Sequence, residues 1–467
     1  MSSWAGRQVC VAGLGVSGTA AARVLVGLGA SVIAVDALAV PERDAELADL
    51  GVDVRTASPP EQLPDAELVV TSPGWRPDNP FLVAAQASGI EVIGEPELAA
   101  RVQRQQWPVR TGPRWLGVTG TNGKTTTTGM LASILQAAGI RSTAAGNIGT
   151  PLIEAVMGEY DVLAVEVSSF QLHWSSSLQF DAAAILNIAD DHVDWHGSMD
   201  AYMAAKHRIW DEGACAVWNA DDPLTAKLAE GLHDSHPFSL HDQRAQIRVS
   251  DGWICGGVGP VAGAVDGRLA PTSAVSLPGP HNLSNALAAA ALATSLNLHE
   301  EFAVTAAQIE QGLRDYRPGP HRNAVVGTVD GVRYVDDSKA TNPHAAEASL
   351  SAYSSVVWIA GGLLKGADIA PLVAAQAGRL RGAVLIGRDK SVIADALARH
   401  APDVPVVVVE AADTGAMDTA VRAAAELASV GDVVLLAPAA ASMDMFRDYA
   451  DRGRAFAAAV HALGPVR

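Results

Sequence analysis

The chain has 467 residues, 49% hydrophobic and 18% charged, which is too long for one ordinary core and implies about three domains at roughly 150 residues each. A formal net charge of −18 argues against a nucleic-acid or anionic-membrane partner, while leaving room for a local basic pocket around a nucleotide. Cys10, Cys215 and Cys255 lie far apart with no C-x-x-C pair, so the spacing supports neither a disulfide framework nor a zinc site. With no secretory signal and no apolar stretch near the roughly 18–20 residues that span a bilayer, the expectation is a reduced, cytoplasmic protein without membrane insertion.

Residues 7–36 read as strand, glycine turn, helix and strand: Gln8 to Ala12, then Gly13-Leu14-Gly15-Val16-Ser17-Gly18, an Ala/Leu-rich helix, and Ser31 to Asp36. This G-x-G-x-x-G arrangement, with an acid about 20 residues on, is a Rossmann-like pattern that seats a diphosphate against a helix N-terminus. Alone it points to a dinucleotide, or to a glycine turn that serves only packing. Glu67 to Thr71 reads as another buried parallel strand, ended by Ser72-Pro73-Gly74. The polar run Gln103-Arg104-Gln105-Gln106 before Pro108 reads as a domain linker.

A second domain begins near Trp107. The apolar run Trp115-Leu116-Gly117-Val118 leads into Gly120-Thr121-Asn122-Gly123-Lys124-Thr125-Thr126, and apolar Met130, Leu131, Ile134 and Leu135 then follow at helical spacing. Strand, glycine-lysine-threonine loop and helix is the order a phosphate-binding loop needs. Its backbone N–H groups turn around phosphate oxygens, Lys124 reaches the outer phosphates, and the Thr125 hydroxyl faces Mg²⁺. The full G-x-x-x-x-G-K-[ST] form would place glycine at position 118, where this chain has Val118, so the motif is the shortened G-x-x-G-K-T.

Ala144 to Pro151 is a second glycine-rich turn, and Asp161 to Ser169 is an apolar strand with Glu166 near its C-terminal end, placed to hold Mg²⁺ directly or through water. After the strand Ala182 to Asn187 comes Asp190-Asp191-His192-Val193-Asp194, the composition of a metal and phosphate site, although any one of its four polar residues, Asp190 or Asp191 before the others, could instead cap a helix. Lys206 sits in a helical stretch after Tyr202-Met203-Ala204-Ala205, where pattern alone favours a snorkelling surface lysine. Asn282 and Asn285 open a long Ala/Leu helix on one face, either to bond an adenine edge or, for Asn282, to cap it. From about Arg317, strands ending in Asp336-Asp337-Ser338-Lys339, Gly361-Gly362, Gly387-Arg388 and Leu435-Leu436 alternate with helical patterns. These predict an α/β protein of three domains: a Rossmann-like N-terminal domain over 1–107, a central P-loop mononucleotide-binding domain over 108–317, and a C-terminal Rossmann-like α/β domain over 318–467.

Taken together, Thr119 to Thr126, Glu166-Val167-Ser168-Ser169-Phe170-Gln171-Leu172, Asp191-His192, Tyr202 to Lys206 and His281-Asn282 to Asn285 resemble the motifs of the Mur ligases, in order and across the whole chain. That family comprises ATP-dependent amino-acid-adding enzymes of peptidoglycan precursor synthesis. Asp337-Ser338-Lys339-Ala340-Thr341-Asn342, Ser72-Pro73-Gly74 and Ser442-Met443-Asp444-Met445-Phe446 resemble its D-glutamate-adding branch. The resemblance implies a monomeric ligase that joins D-glutamate to UDP-N-acetylmuramoyl-L-alanine through an acyl phosphate. It places Gly15, Val16, Ser17, Asp36, Ser72 and Gly74 near the uridine nucleotide and Asn147 on the muramyl substrate. Gly120 to Thr126, Asn282, Asn285, Arg322, Asp337 and Lys339 would contact ATP. Thr125, Glu166, His192 and Lys206 would hold Mg²⁺, Lys206 as a carbamate formed with CO₂. Thr341, Lys365, Ser442 and Phe446 would surround D-glutamate, and Lys124, His192 and Lys206 would be the catalytic set. Two departures stand out: Ala37-Leu38 where relatives often carry polar or basic residues, and Asn323-Ala324 where a glutamate is common. The competing NAD-dependent dehydrogenase, built on residues 7–36, leaves the Lys124 loop without a task.

Overall fold

The computed structural model describes residues 4–56, 63–107, 112–410 and 415–464. Three sheets organise them. The first has five parallel strands, with Gln8–Ala12 central between Ser31–Val35 and Leu68–Thr71. Strands in such sheets are covered on both faces, so they read as unbroken apolar runs, as Leu68–Thr71 does.

The second sheet has nine strands, antiparallel only where Ile247–Ser250, Trp253–Gly256 and Arg268–Pro271 pair at one edge. Arg114–Thr119 lies between Val162–Glu166 and Ala182–Ile185, all parallel. The carboxyl ends of three adjacent strands therefore present the phosphate loop, Glu166 and Asn187 side by side. The third sheet has six strands, with Val433–Leu436 between Val332–Asp336 and Val356–Gly361. Its one antiparallel pair is Ala324–Val329 with Val332–Asp336.

Contacts divide the chain into two compact units. The first takes Ile188 and the described residues before it, His192–Ser276 and Ser284–Tyr316; the second takes Ala189–Asp191, Leu277–Leu283 and the described residues from Arg317 onward. The first unit holds two sheets over one apolar cluster, in which Val9, Ala21 and Leu25 belong with Leu152, Ile153 and Val165.

The helix Glu95–Gln106 brackets those two sheets, which corrects the reading of Gln103 to Gln106 as a linker. Gln103 donates to the Pro113 carbonyl (2.9 Å) and accepts from the Trp115 indole (2.7 Å), and Arg104 donates to the Ser177 carbonyl and hydroxyl (both 2.6 Å). The run is polar because it is hydrogen-bonded across the sheets; Pro108, the other mark of that linker, lies outside the described residues. Two buried carboxylates on the same helix act alike. Glu95 accepts from the Ile153 amide (2.6 Å), and Glu97 accepts from the Ser176 and Ser177 amides (3.0 and 2.9 Å). Their titration differs. Desolvation pushes Glu95 up to about 7, whereas the bonds from Ser177, Ser176 and Arg101 outweigh desolvation at Glu97 and hold it low.

Candidate active site

The phosphate loop closes the strand Arg114–Thr119 and opens the helix Lys124–Ala137. Gly123 caps that helix at φ 83°, and a Cβ there would lie 2.4 Å from Asn285 Oδ1, so both conformation and space require glycine. Lys124 Nζ curls onto its own loop and donates to the carbonyls of Gly120 and Thr121, 2.9 Å each. Asn187 braces the turn from the neighbouring strand end: its Oδ1 accepts from the Asn122 amide (2.8 Å), and its Nδ2 donates to the Asn122 carbonyl (3.0 Å). Thr121 Oγ1 and Tyr202 Oη share a hydrogen bond of 2.8 Å.

Glu166 is buried beside the loop with both oxygens engaged. Thr125 donates its hydroxyl to one (2.7 Å) and Asn147 its amide to the other (2.7 Å). A carboxylate and a threonine hydroxyl at the N-terminus of the phosphate-loop helix are hard oxygen donors of the kind Mg²⁺ takes, so these residues fit that ion. Lys206, 2% exposed, donates to the Gly120 carbonyl (2.8 Å) and to Thr119 Oγ1 (3.5 Å), with Nζ 4.8 Å from the Tyr202 ring centroid. It is a core lysine aimed at the phosphate loop, contrary to the snorkelling expected from pattern alone. His192, at φ 56°, caps the short helix Val193–His196, so neither Asp190 nor Asp191 does. Its ring packs 4.7 Å from Phe170, within a cluster that includes His173, Trp195 and His196. Among the described residues, Glu166 and His192 belong to no His/Cys/Asp/Glu trio with ligand atoms within 4.8 Å of one another.

The glycine turn of the first sheet is built as its pattern implies. A Cβ on Gly18 would sit 1.9 Å from the Gly13 carbonyl oxygen, and Ser72 Oγ donates to that same oxygen (3.0 Å). Gly15 caps the helix Val16–Gly27, and Val16 is 77% exposed beside it. Asp36 is a clamp within the turn: it accepts from the amides of Leu14 (2.5 Å) and Leu38 (2.9 Å). Arg43 donates to the carbonyls of Leu14 (2.8 Å) and Leu38 (2.9 Å) and stands 3.9 Å from Asp36. A basic group thus reaches this turn from the next helix, Pro41–Asp49, although Ala37 and Leu38 supply none.

In the second unit, the third sheet presents three loops. The Ala439 amide donates to the Ala340 carbonyl (2.9 Å), and Leu363 and Ala441 exchange backbone bonds (2.8 and 2.9 Å), so the segments carrying Thr341, Lys365 and Ser442 are tied together. Phe446 sits in the apolar core with Val384 and Phe456. Lys339 Nζ lies 3.9 Å over the Tyr449 ring. Asp337 accepts from the Asn323 amide (3.1 Å), and desolvation raises it to about 6. Gly74 and Arg322 are placed at loop positions, Gly74 exposed and Arg322 half-buried. Asn282 lies inside the helix Pro280–Ser295 and donates to the Pro278 carbonyl (2.7 Å), so it is not that helix's cap.

Family models match in three blocks: a MurD-like N-terminal domain over residues 7–94, the Mur ligase middle domain over 118–293 and the Mur ligase glutamate ligase domain over 321–440. A UDP-N-acetylmuramoylalanine--D-glutamate ligase of Streptomyces avermitilis is 51% identical over 99% of this chain and 100% of its own length. The chain belongs to the Mur ligase family. A ligase of the same name from Thermobifida fusca is also 51% identical, over 98% of this chain and 99% of its own, and one from Mycobacterium avium is 46% identical over 98% and 97%. The fold is shared with the UDP-N-acetylmuramate-alanine ligase of Thermotoga maritima, at TM-score 0.61 and 20% identity over 98% of this chain and 100% of that one.

Within this Mur ligase, the dehydrogenase reading loses its key residue, since Asp36 spends its oxygens on backbone amides of its own turn. Four positions that sequence reasoning did not select carry the site's geometry: Asn187, Arg43, Tyr202 and the buried Arg452, which donates to Ser338 and to the Ala440 carbonyl. Asn187 and Tyr202 lay inside motifs already in view, and only their partners were missing. Arg43 and Arg452 gave no local signal at all.

Proposed function

We propose that this Mur ligase joins D-glutamate to UDP-N-acetylmuramoyl-L-alanine with conversion of ATP to ADP and phosphate, a step of peptidoglycan precursor synthesis. The observation that carries the reading is 51% identity across 99% of the chain to a ligase of that name. The substrate's alanyl carboxylate attacks the γ-phosphoryl group to form an acyl phosphate, whose carbonyl the amine of D-glutamate then attacks, releasing phosphate and leaving the amide. Phosphoryl transfer of this kind rests on positioning and charge. Lys124 leaves its loop carbonyls and neutralises the transferring phosphoryl oxygens, while the N–H groups of Gly120 to Thr126 hold the phosphates at the helix N-terminus. Thr125 and Glu166, with His192 and a carbamate on Lys206, would hold Mg²⁺, which would supply further positive charge there.

Carbamylation would leave one N–H on Lys206 Nζ, able to keep donating to the Gly120 carbonyl, and would add two anionic oxygens for the cation. Gly15, Val16, Ser17, Ser72, Gly74 and Asp36 form the turn that takes the UDP group, with Asn147 on the muramyl part. Asn282, Asn285, Arg322, Asp337 and Lys339 contact the adenine nucleotide, and Thr341, Lys365, Ser442 and Phe446 contact D-glutamate. The domain boundaries that go with these roles are 1–107, 108–317 and 318–467.

The test is incubation with UDP-N-acetylmuramoyl-L-alanine, ATP, Mg²⁺ and bicarbonate, supplying D-glutamate, L-glutamate, L-lysine, L-alanine or no amino acid, with products weighed by mass spectrometry. A product one glutamyl residue heavier, formed with D-glutamate alone, is expected. Extension by another amino acid in the panel, or by none, would sink the assignment.

A further inference from the structure

On the side of the nine-stranded sheet opposite the phosphate loop, Cys215 begins the strand Cys215–Asn219, and Asp234 and His236 lie at the start of Ser235–Ser239, two interior strands. These strands run parallel to each other and, through Ala182–Ile185, to Arg114–Thr119. The phosphate loop leaves the carboxyl end of that last strand, so this trio sits at the opposite ends. Ligand atoms of Cys215, Asp234 and His236 all lie within 4.8 Å of one another.

The hydrogen bonds around His236 fix its tautomer. Gln246 Nε2 donates to the Gly257 carbonyl (3.0 Å), which orients the amide so that its Oε1 faces His236 Nδ1 at 2.6 Å. Nδ1 therefore carries a hydrogen, the second-sphere bond that leaves Nε2 available as a ligand. Yet Nε2 stands 2.5 Å from Asp234 Oδ1. That separation is a hydrogen bond with a proton between the two atoms, a proton that an entering metal ion would displace.

We propose that Cys215, Asp234 and His236 form a binding site for a borderline-soft divalent transition metal, of which Zn²⁺ is the representative, separate from the Mg²⁺ site. One thiolate, one imidazole and one carboxylate are the N/O/S set such an ion takes, with water in the fourth position. Tetrahedral bonds of about 2.0–2.2 Å to nitrogen and oxygen require the Asp234–His236 pair to open to about 3.3 Å. Asp234, whose side chain is 58% exposed, has room to move. Burial and the neighbouring Asp234 charge hold the Cys215 thiol up at about 12, so the ion must displace a proton and binding strengthens as pH rises. The sequence spacing gave no sign of the trio because the fold, not a short motif, brings position 215 beside 234 and 236.

The probe is Co²⁺, titrated into the metal-stripped full chain with Mg²⁺ in excess to occupy the phosphate-loop site. One equivalent should raise a thiolate-to-cobalt charge-transfer band, and excess Zn²⁺ should abolish it. Cys215→Ser should lose the band, while Cys10→Ser and Cys255→Ser keep it. Asp234→Asn, at an exposed position that does not endanger folding, should weaken Co²⁺ binding by at least about tenfold. Absence of the band in the wild type, its survival in Cys215→Ser, or unchanged affinity in Asp234→Asn would each overturn the proposal and leave a proton between Asp234 and His236.

Discussion

The phosphate loop and the crevice loops of the third sheet hold their functional groups by different means. The first is contiguous: seven residues, Gly120 to Thr126, fold back on themselves, and the two neighbouring strand ends supply Glu166 and Asn187. The second is assembled from segments around positions 338, 361 and 440, and one buried side chain joins all three in addition to their backbone bonds. Arg452, 1% exposed on the helix Tyr449–Leu463, donates to Ser338 Oγ (3.0 Å), the Ser338 carbonyl (2.9 Å), the Ala440 carbonyl (3.1 Å) and the Gly361 carbonyl (3.4 Å). Desolvation pushes it down to about 10 against the pull of Asp444 and Asp336. A contiguous loop can lose its functional charge and keep its shape, whereas an assembled crevice cannot lose its buried tie.

Four substitutions sharpen that contrast, the largest effect first. Lys124→Ala should lower D-glutamate-dependent phosphate release by about 10³-fold or more, roughly 4 kcal/mol of transition-state stabilisation, while melting with the wild type. A large loss of thermal stability in that variant would erase the distinction. Arg452→Met removes the tie and leaves buried acceptors unmatched, so the denaturation of the second unit should weaken by about 3–5 kcal/mol. It should also raise the KM for D-glutamate and leave that for the UDP substrate unchanged; a shift in both, or in neither, would deny Arg452 its positioning role.

Glu95→Gln addresses the first unit away from the loop. The Glu95 carboxyl titrates at about 7 when folded, above its ordinary 4.5, so ionisation costs stability progressively between those values and fully above the upper one. The glutamine variant should match the wild type at about pH 4 and below and exceed it by up to about 3 kcal/mol near about pH 8. Equal stabilities at both pH values would remove the buried-acid account. The smallest effect belongs to Asn342, whose side chain accepts from the Ala345 amide (2.8 Å) to cap the helix Pro343–Leu350. Asn342→Ala should cost about 1 kcal/mol, because a cap is a local device even in the assembled region. Calorimetry giving a loss as large as that of Arg452→Met would merge the two classes.

The same contrast governs what the sequence discloses. The phosphate loop, the glycine turn at Gly13 to Gly18 and the parallel-strand runs were legible because each is local: spacing and backbone freedom dictate them. Arg452 stands among Asp451, Arg454 and Tyr449 and reads as a solvated helix face, and nothing in its neighbourhood announces partners more than a hundred residues away. Lys206 misled in the same direction, since only the fold turns its helix face toward Gly120. Gln103 to Gln106 misled in reverse: their polarity serves bonds between two sheets, not water. Asp36 was selected by position, and the structure shows it clamping its own turn, a use that composition cannot distinguish from holding a ribose.

The most direct test of the ligase chemistry follows the oxygen atoms. UDP-N-acetylmuramoyl-L-alanine carrying oxygen-18 in the alanyl carboxylate is turned over with ATP and D-glutamate, and the released phosphate is weighed. Attack of that carboxylate on the γ-phosphoryl group predicts one heavy oxygen in each phosphate formed. Phosphate without the label, released at the same rate as amide, would contradict the acyl-phosphate route and with it the role given to Lys124.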